Sequence, residues 1–268
     1  MFKTIERNDG IFKSGLFGKD ALAFNIMLSI VDNYIKYPNP KIFSNNKDCV
    51  IVNSDSEHPV IIWTAASFSD YERLFGFVRN KFSQNHPFKI MSKMNMYDLL
   101  KNMNKVDSAD VKILGVYKCD RLKDVKYAGY PDNITEAETP IVAEMFSLFS
   151  QETGENINST YEENIKEARS FISNPLSQVW RSPSGRIVAV ARIRESEEYG
   201  RIGCVLTVPE ERGKNYAKML VHFLTKRIFE MKKQPMLFTD FDYEPSNKCY
   251  PAVGYDLVGT VANYKINL

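Results

Sequence analysis

One stretch of the sequence passes from an apolar run into a helix through a short turn rich in charged residues. It extends from Val205 to Lys218 and reads VLTVPEERGKNYAK. The apolar start predicts a strand, and the amphipathic pattern from Tyr216 to Met231 predicts a helix. The first amides of a helix have no partner within it, and the helix dipole favours an anion beside them. The stretch therefore predicts a phosphate-binding turn, although taken alone it also fits an ordinary strand–turn–helix connection.

Composition excludes several functional classes. The chain has 268 residues, of which 44% are hydrophobic and 25% charged, with a formal net charge of +2. These values are typical of globular proteins and argue against a disordered chain or a polybasic nucleic-acid binder. The longest apolar-biased run, Ala21–Val31, is too short to cross a bilayer, and the N-terminus is too polar for a signal peptide. We therefore expect a cytoplasmic protein with neither a nucleic acid nor a membrane as partner.

The cysteines and histidines lack the spacing of a metal site or a disulfide framework. No Cys-x-x-Cys pair occurs, and His58, His86 and His222 are far apart in the sequence. We therefore expect no metal and free thiols in a reducing compartment. The four cysteines are Cys49, Cys119, Cys204 and Cys249.

Turn-forming and charged residues between 120 and 140 indicate a boundary between two domains, 1–125 and 130–268. The second domain is predicted to begin with a helix whose N-cap is Thr139 and whose first residue is Pro140. A capping box opens a further helix at Thr160, because Glu163 follows three residues later.

A second motif follows the phosphate-turn candidate at a distance that leaves room for one helix and one strand. It extends from Ser246 to Tyr255 and reads SNKCYPAVGY. Together the two stretches resemble the signatures of the GNAT superfamily of acyl-CoA-dependent N-acyltransferases. Arg212 and Ala217 match the ends of the family's Arg/Gln-x-x-Gly-x-Gly/Ala motif. Asn215 stands where the family has its middle glycine, and asparagine tolerates the left-handed backbone that this position needs.

This resemblance implies an α/β fold, more closely an α+β fold with mixed sheets, built of two tandem GNAT-like domains. Each would have a central, mostly antiparallel sheet flanked by helices, with a splayed parallel strand pair at the CoA site. The layout resembles a bacterial subgroup with a degenerate amino-terminal half, and also the glycine N-acyltransferases. In the first half, the turn Ala65–Asp70 has neither glycine nor arginine. We therefore expect only the second half to bind CoA.

The resemblance also implies roles for individual residues. The strand residues would offer backbone groups to the acyl carbonyl and the pantetheine arm, the turn would hold the pyrophosphate, and Asn247 would contact the pantetheine or phosphate end. The expected cofactor-binding residues are Val205, Leu206, Thr207, Arg212, Gly213, Lys214, Asn215, Tyr216, Ala217, Lys218 and Asn247.

A transferase of this type needs a general acid for the departing thiolate and a base for the amine. Tyr250 is the predicted acid, because a phenol has a pKa suited to protonating a thiolate. Asp240 and Glu152 are the predicted bases, with Asp242 as an alternative. Together with further carboxylates at Glu144 and Glu244 they favour a cationic acceptor. Direct transfer needs no nucleophile, so Cys204 and Cys249 are expected to be packing residues.

The sequence thus predicts an acetyl-CoA-dependent N-acetyltransferase that acts on a primary amine of a small molecule or peptide, as a monomer or homodimer. A protein that senses acyl-CoA without turnover remains an alternative. An amino-acid N-acyltransferase of the glycine type is another. The acceptor itself stays open among free amino acids, polyamines, antibiotics and protein lysines.

Overall fold

A computed structural model describes residues 1–37, 40–82, 88–154 and 158–266. The chain divides into two compact units. The first unit comprises Met1–Val116, Thr239–Glu244 and Leu257–Leu268, and the second comprises Tyr117–Phe238 and Pro245–Asp256. The predicted domain boundaries, at 125 and 130, stay a prediction.

The first unit is a mixed sheet with short helices. Its strands are β1 (Lys3–Thr4), β2 (Lys41–Ser44), β3 (Cys49–Asn53), β4 (Val60–Thr64), β5 (Lys89–Lys93), most of β6 (Val106–Cys119) and most of β12 (Tyr255–Ile266). Its helices are α1 (Gly15–Gly18), α2 (Asn25–Asp32), α3 (Tyr71–Phe82) and α4 (Met94–Asn102), with 3-10 turns at Gly10–Lys13 and Tyr34–Lys36. The strand order β1-β2-β3-β4-β5-β12 is antiparallel except for the parallel pair β4–β5.

Side chains fill the end of this parallel pair. The β4–β5 ladder ends at Ile62 and Ser92, and the next residues along the two strands are Trp63 and Lys93. The fully buried Trp63 donates its indole N–H to an Asp20 carboxylate oxygen at 2.8 Å. Lys93 pairs with the same carboxylate and lies 5.9 Å from the centre of the Trp63 ring. The position at which these two strands end their pairing is therefore closed by a packed, hydrogen-bonded cluster.

The second unit is also a mixed sheet, and it carries longer helices. Its strands are β7 (Tyr130–Asp132), β8 (Ser177–Arg181), β9 (Ile187–Glu195), β10 (Tyr199–Thr207) and most of β11 (Gln234–Asp240). Its helices are α5 (Thr139–Thr153), α6 (Tyr161–Ile172), α7 (Tyr216–Glu230) and most of α8 (Glu244–Val253), with 3-10 turns at Glu136–Glu138 and Pro209–Glu211. The order β11-β10-β9-β8-β7 is antiparallel except for the parallel pair β10–β11. The predicted fold class is confirmed.

The capping signals before α5 and α6 had different outcomes. The capping box of Thr160 and Glu163 is present, with the Glu163 amide donating to the Thr160 hydroxyl at 3.2 Å. The predicted N-cap Thr139 is instead the first residue of α5, and Glu138 is its N-cap. A 3-10 turn with its own capping box leads directly into α5, so the Thr139 hydroxyl donates to the Glu136 carbonyl at 2.7 Å.

The two faces of the second unit's sheet pack against different helices. One face packs against α7 through a core that includes Trp180, Ala189, Ala191, Ile193, Ile202, Leu220 and Leu224. The other face packs against α5 and α6 through a core that includes Val142, Phe146, Ala168, Phe171, Val179, Val190 and Leu206. The alternation of residues along β9 and β10 places the members of these two cores on opposite sides. No helix in the described ranges is long and apolar enough to cross a membrane.

The segment of residues 121–129 packs tightly against the second unit rather than acting as a loose linker. Lys123 donates its amide to the Val253 carbonyl and its ammonium to the Pro251 carbonyl, each at 2.9 Å. Farther along, Trp180 donates its indole N–H to the Ala128 carbonyl at 2.9 Å. The first of these contacts satisfies carbonyls at the C-terminal end of α8, which would otherwise lack a helical partner. The segment therefore holds the end of that helix in place.

Gly254, which follows α8, is expected to tolerate no side chain. Its φ is +120°, and a Cβ there would lie 2.2 Å from the backbone carbonyl oxygen of Arg121. Because a backbone atom cannot move aside cheaply, we predict that Gly254→Ala destabilises the protein by about 3 kcal/mol. Urea unfolding followed by circular dichroism measures this loss. Gly76→Ala is the control, because exposed Gly76 in α3 has open space and should gain about 0.5–1 kcal/mol. Equal stability of Gly254→Ala and the parent would contradict the close approach.

Candidate functional site

The parallel strands β10 and β11 separate partway along their length. Their ladder extends from the pair Tyr199 and Gln234 to the pair Ile202 and Leu237. Both strands continue beyond this point, β10 to Thr207 and β11 to Asp240. The residues after the last pair therefore border a fork, where backbone groups of two strand edges are available to a ligand.

A β-bulge in β10 accompanies the fork. The pairing of β10 with β9 shifts register between Gly203 and Leu206, so one extra residue is accommodated on β10. Cys204 lies within the bulge and has a φ of +54°, an uncommon conformation for a residue with a side chain. After the bulge, Leu206 packs into the core beneath α5 and α6, whereas Val205 packs against the core beneath α7. The bulge thus bends β10 away from its parallel neighbour without loss of core packing.

The turn that follows β10 exposes the N-terminus of α7. Gly213 has a φ of +79°, and Asn215, the N-cap of α7, has a φ of +66°. The left-handed conformation expected for Asn215 is therefore present, and asparagine replaces glycine without loss of the turn. Residues 212–215 are exposed, while Tyr216 at the start of the helix is buried. Amides at the first turn of α7 point toward this exposed loop, which makes the loop suited to an anion.

Ion pairs order the basic side chains around this turn. Arg212 donates to a Glu152 carboxylate oxygen at 2.6 Å and to the Thr207 carbonyl at 3.2 Å. Lys214 pairs with Glu211 at 2.8 Å, and Arg186 pairs with the same carboxylate. The hydrogen bond from Lys214 and the charge of Arg186 hold the pKa of Glu211 below its usual range. The buried Glu211 carboxylate therefore fixes one wall of the turn.

Helix α8 brings the second motif to a cluster of tyrosines. The Tyr250 side chain is 7% exposed, and the centre of its ring lies 6.1 Å from that of Tyr117 and 6.2 Å from that of Tyr255. Tyr117 donates its hydroxyl to the Asn247 side-chain oxygen at 3.1 Å. The helix continues through Pro251 to Val253, so this proline does not end it before the motif is complete. Asn247 and Tyr250 thus lie one helical turn apart on one face, as the motif spacing predicts.

The two predicted bases have different surroundings. Glu152 lies in the last turn of α5 and forms the ion pair with Arg212, next to the phosphate-turn candidate. Asp240 ends β11 and accepts the backbone amide of Asp242 at 3.0 Å. The structure therefore brings Glu152 to the turn, while Asp240 is grouped with the first unit.

The cysteines near the motifs have the properties of packing residues. All four cysteines are free. Burial raises the pKa of the Cys249 thiol to about 11, so this group is protonated at neutral pH. Among the described residues, no group of three or more histidine, cysteine, aspartate or glutamate side chains could hold a metal ion.

Sequence reasoning missed Tyr117 as a residue of the site. Its partner Asn247 is 130 positions away in the chain. No local pattern marks Tyr117, which ends an apolar run that reads as an ordinary strand. Burial raises the pKa of its hydroxyl, which keeps it a donor at neutral pH.

Comparison with known families gives a match in the second unit. Residues 183–264 match the family described as FR47-like protein. The match begins in the hairpin before β9 and contains the fork, the turn before α7 and the Asn247–Tyr250 motif. No curated protein sequence matches the chain significantly.

Solved structures of similar architecture cover the whole chain. A GNAT-family acetyltransferase from Colwellia psychrerythraea has 13% sequence identity and a TM-score of 0.58, with 100% of both chains covered. A GCN5-related N-acetyltransferase from Sphaerobacter thermophilus has 12% identity and a TM-score of 0.62, covering 99% of this chain and 95% of its own. A tandem GNAT protein from the clavulanic acid biosynthesis pathway has 10% identity and a TM-score of 0.57, covering 98% and 97%. At such identities the similarity shows the fold.

The Glu211 cluster is expected to make stability depend on pH. The folded-state pKa of Glu211 lies below its ordinary value of 4.5, so its ion pairs stabilise the protein above that pH. This contribution is lost as the pH falls through the lower, folded-state pKa. We predict that Glu211→Gln is less stable than the parent at pH 7 and that the difference disappears in acid. Urea unfolding at several pH values measures it, with Glu210→Gln, an exposed neighbour, as control. A difference that is constant with pH would contradict the ionic origin.

Proposed function

Because the chain is a member of the GNAT superfamily by its fold and its FR47-like region, we propose that it is an acetyl-CoA-dependent N-acetyltransferase. The acetyl group would pass directly to a primary amine of a small molecule or peptide. The observation that carries this proposal is the fork between β10 and β11, followed immediately by the exposed turn of residues 212–215 at the N-terminus of α7. The fork suits an extended arm that carries amides, and the turn suits a pyrophosphate.

The residues of the turn fit the phosphate end of CoA. Gly213 presents its backbone without a side chain, and a Cβ placed there would meet no described atom within 4 Å, so this face of the turn is open. Lys214 and Arg212 supply positive charge from the turn, while Lys218 lies one helical turn into α7. Their present partners, Glu211 and Glu152, pre-order these side chains. The amides and the helix dipole supply the rest of the attraction.

The chemistry of transfer requires two proton movements. The amine nitrogen forms a bond with the thioester carbonyl carbon, the carbon–sulfur bond breaks, and the sulfur leaves with the bonding electrons. Tyr250 is proposed to donate its hydroxyl proton to that sulfur, and the amine gives up a proton to a base. Asp240 is the preferred base, because the Glu152 carboxylate is engaged by Arg212. Asn247, held by Tyr117, would orient the arm of the cofactor beside Tyr250.

A non-catalytic acyl-CoA sensor is the second candidate. The burial of Tyr250 within a cluster of three tyrosines favours it, because a packed phenol can serve structure alone. Such a protein would bind acetyl-CoA and release no thiol with any amine. A thiol-release assay over a mixed panel of amines separates the two functions.

Binding of CoA is expected to depend on the turn before α7. Gly213→Asp places a carboxylate where phosphate is proposed to bind, so we predict a loss of affinity of at least about tenfold, the scale of one charged hydrogen bond. Isothermal calorimetry with CoA measures it. Ala66→Asp adds the same charge in the exposed turn after β4 of the first unit and should leave the affinity unchanged. Unchanged affinity in Gly213→Asp would sink the proposed phosphate site.

Replacing Tyr250 by phenylalanine keeps the ring and removes the proton. Because a general acid contributes about 100- to 10,000-fold, kcat for the best acceptor should fall within that range while acetyl-CoA affinity changes little. Steady-state thiol release and calorimetry measure the two quantities. Tyr161→Phe, at an exposed tyrosine on α6, is the matched control and should keep the parent rate. If Tyr250→Phe also turns over at the parent rate, Tyr250 is a packing residue.

A further inference from the structure

We propose that the acceptor amine carries a carboxylate, as an amino acid does, and that Arg192 and Arg201 bind this carboxylate beside the fork. The inference rests on the proposed function and adds the chemical class of its second substrate. It comes from the face of the second unit's sheet that also packs against α5 and α6. This group of residues, Arg192, Arg201 and the space over Gly203, is called the anion subsite below.

The strand register places the two arginines around the opening of the fork. Arg192 on β9 lies directly opposite Gly203 on β10, and Arg201 precedes Gly203 by two residues. Residues in register, and residues two apart on one strand, project from the same face of a sheet. The intervening pair, Ile193 and Ile202, belongs to the core beneath α7, which confirms that the arginines project from the other face.

Gly203 is the first residue of β10 beyond the last pair with β11. A Cβ placed on Gly203 would meet no described atom within 4 Å. Space is therefore present over the sheet at the position where the two strands begin to separate. A small group bound there lies next to the fork in which the acyl group is proposed to be held.

Both arginines are buried to a degree that requires explanation. Each is only 8% exposed. Arg192 forms an ion pair with Glu167 at 3.0 Å and lies 6.0 Å from the centre of the Phe171 ring. Its Nε is buried and has no hydrogen-bond partner among the described residues. A buried, unsatisfied guanidinium N–H is costly, so the protein gains if a ligand oxygen accepts from it.

Arg201 is held in place by an aromatic ring. Its guanidinium carbon lies 5.9 Å from the centre of the ring of Phe238, a residue of β11. A guanidinium fixed in this way has a fork of donors that matches a carboxylate. Because Glu167 already compensates one charge at Arg192, a monoanionic carboxylate fits the subsite better than a dianionic phosphate.

The position of the subsite relates the carboxylate to the reacting nitrogen. In an α-amino acid a single carbon separates the amine from the carboxylate. A carboxylate held over Gly203 would therefore leave the amine within a short distance of the fork. The carboxylates that led us to expect a cationic acceptor are compatible with this, because an amino acid also carries an ammonium group before it reacts.

The test compares acceptors that differ only in this charge. Glycine is paired with glycinamide, and phenylalanine with phenylalaninamide, at saturating acetyl-CoA, and thiol release gives kcat and KM for each. The amides are the less basic amines, so amine reactivity alone predicts that they react faster. We expect the parent protein instead to prefer the carboxylates by at least about tenfold in kcat/KM. Phosphoethanolamine, which carries a phosphate, tests the other anion and should be the poorer acceptor.

Substitutions then assign the preference to the arginines. Arg192→Gln and Arg201→Gln should each raise KM for the carboxylates about 10- to 100-fold with little change in kcat, and should leave the amides unaffected. Arg192→Lys, which keeps the charge, should retain part of the preference. Arg169→Gln removes an exposed arginine from α6 and should change nothing. Circular dichroism checks that each variant is folded.

The outcomes separate this inference from the proposed function. Equal use of acids and amides by the parent protein, or a preference for the phosphate, would overturn the anion subsite and leave the transferase standing. If no amine is acetylated, the transferase fails, and calorimetry of CoA-saturated protein with N-acetylglycine and N-acetylglycinamide still tests the subsite. Tighter binding of N-acetylglycine that is lost in both glutamine variants supports it. Equal affinity for the two compounds refutes it.

Discussion

The separation of β10 from β11 is the feature on which every proposed contact with a ligand depends. Parallel strands normally satisfy one another's backbone groups along their whole length, and here the ladder stops after Ile202 and Leu237. The bulge between Gly203 and Leu206, with Cys204 at a φ of +54°, redirects β10 while its side chains stay packed in both cores. The cost of this strained backbone is met by core packing, and the result is a strand edge beside an exposed helix N-terminus.

The two units solve the end of their parallel pair in opposite ways. In the first unit the ladder of β4 and β5 is followed by Trp63 and Lys93, which Asp20 joins into a packed cluster. In the second unit the corresponding step on β10 is Gly203, over which space is available. A large buried indole leaves no room at the end of the first pair. This difference gives a physical reason for the expectation that only the second unit binds CoA.

Local signals in the sequence foretold the parts of the structure that depend on neighbouring residues. The capping box of Thr160 and Glu163, the helix from Tyr216 and the left-handed Asn215 all follow from short-range preferences. The fold class followed from two motifs in order. Contacts between distant residues left no such trace: Tyr117 with Asn247, Arg212 with Glu152, and the position of Arg192 opposite Gly203. These depend on strand register and on helix packing, which a single sequence does not encode in any local pattern.

Hydrogen exchange of the full chain with and without CoA tests the central claim most directly, because it reads backbone amides one segment at a time. The account predicts that CoA slows exchange of the amides of residues 213–218, at the turn and the first turn of α7. The amides of residues 65–70, in the turn after β4, should exchange at the same rate in both conditions. Protection at residues 65–70, or saturating CoA without protection at residues 213–218, would contradict a single site at the fork of the second unit.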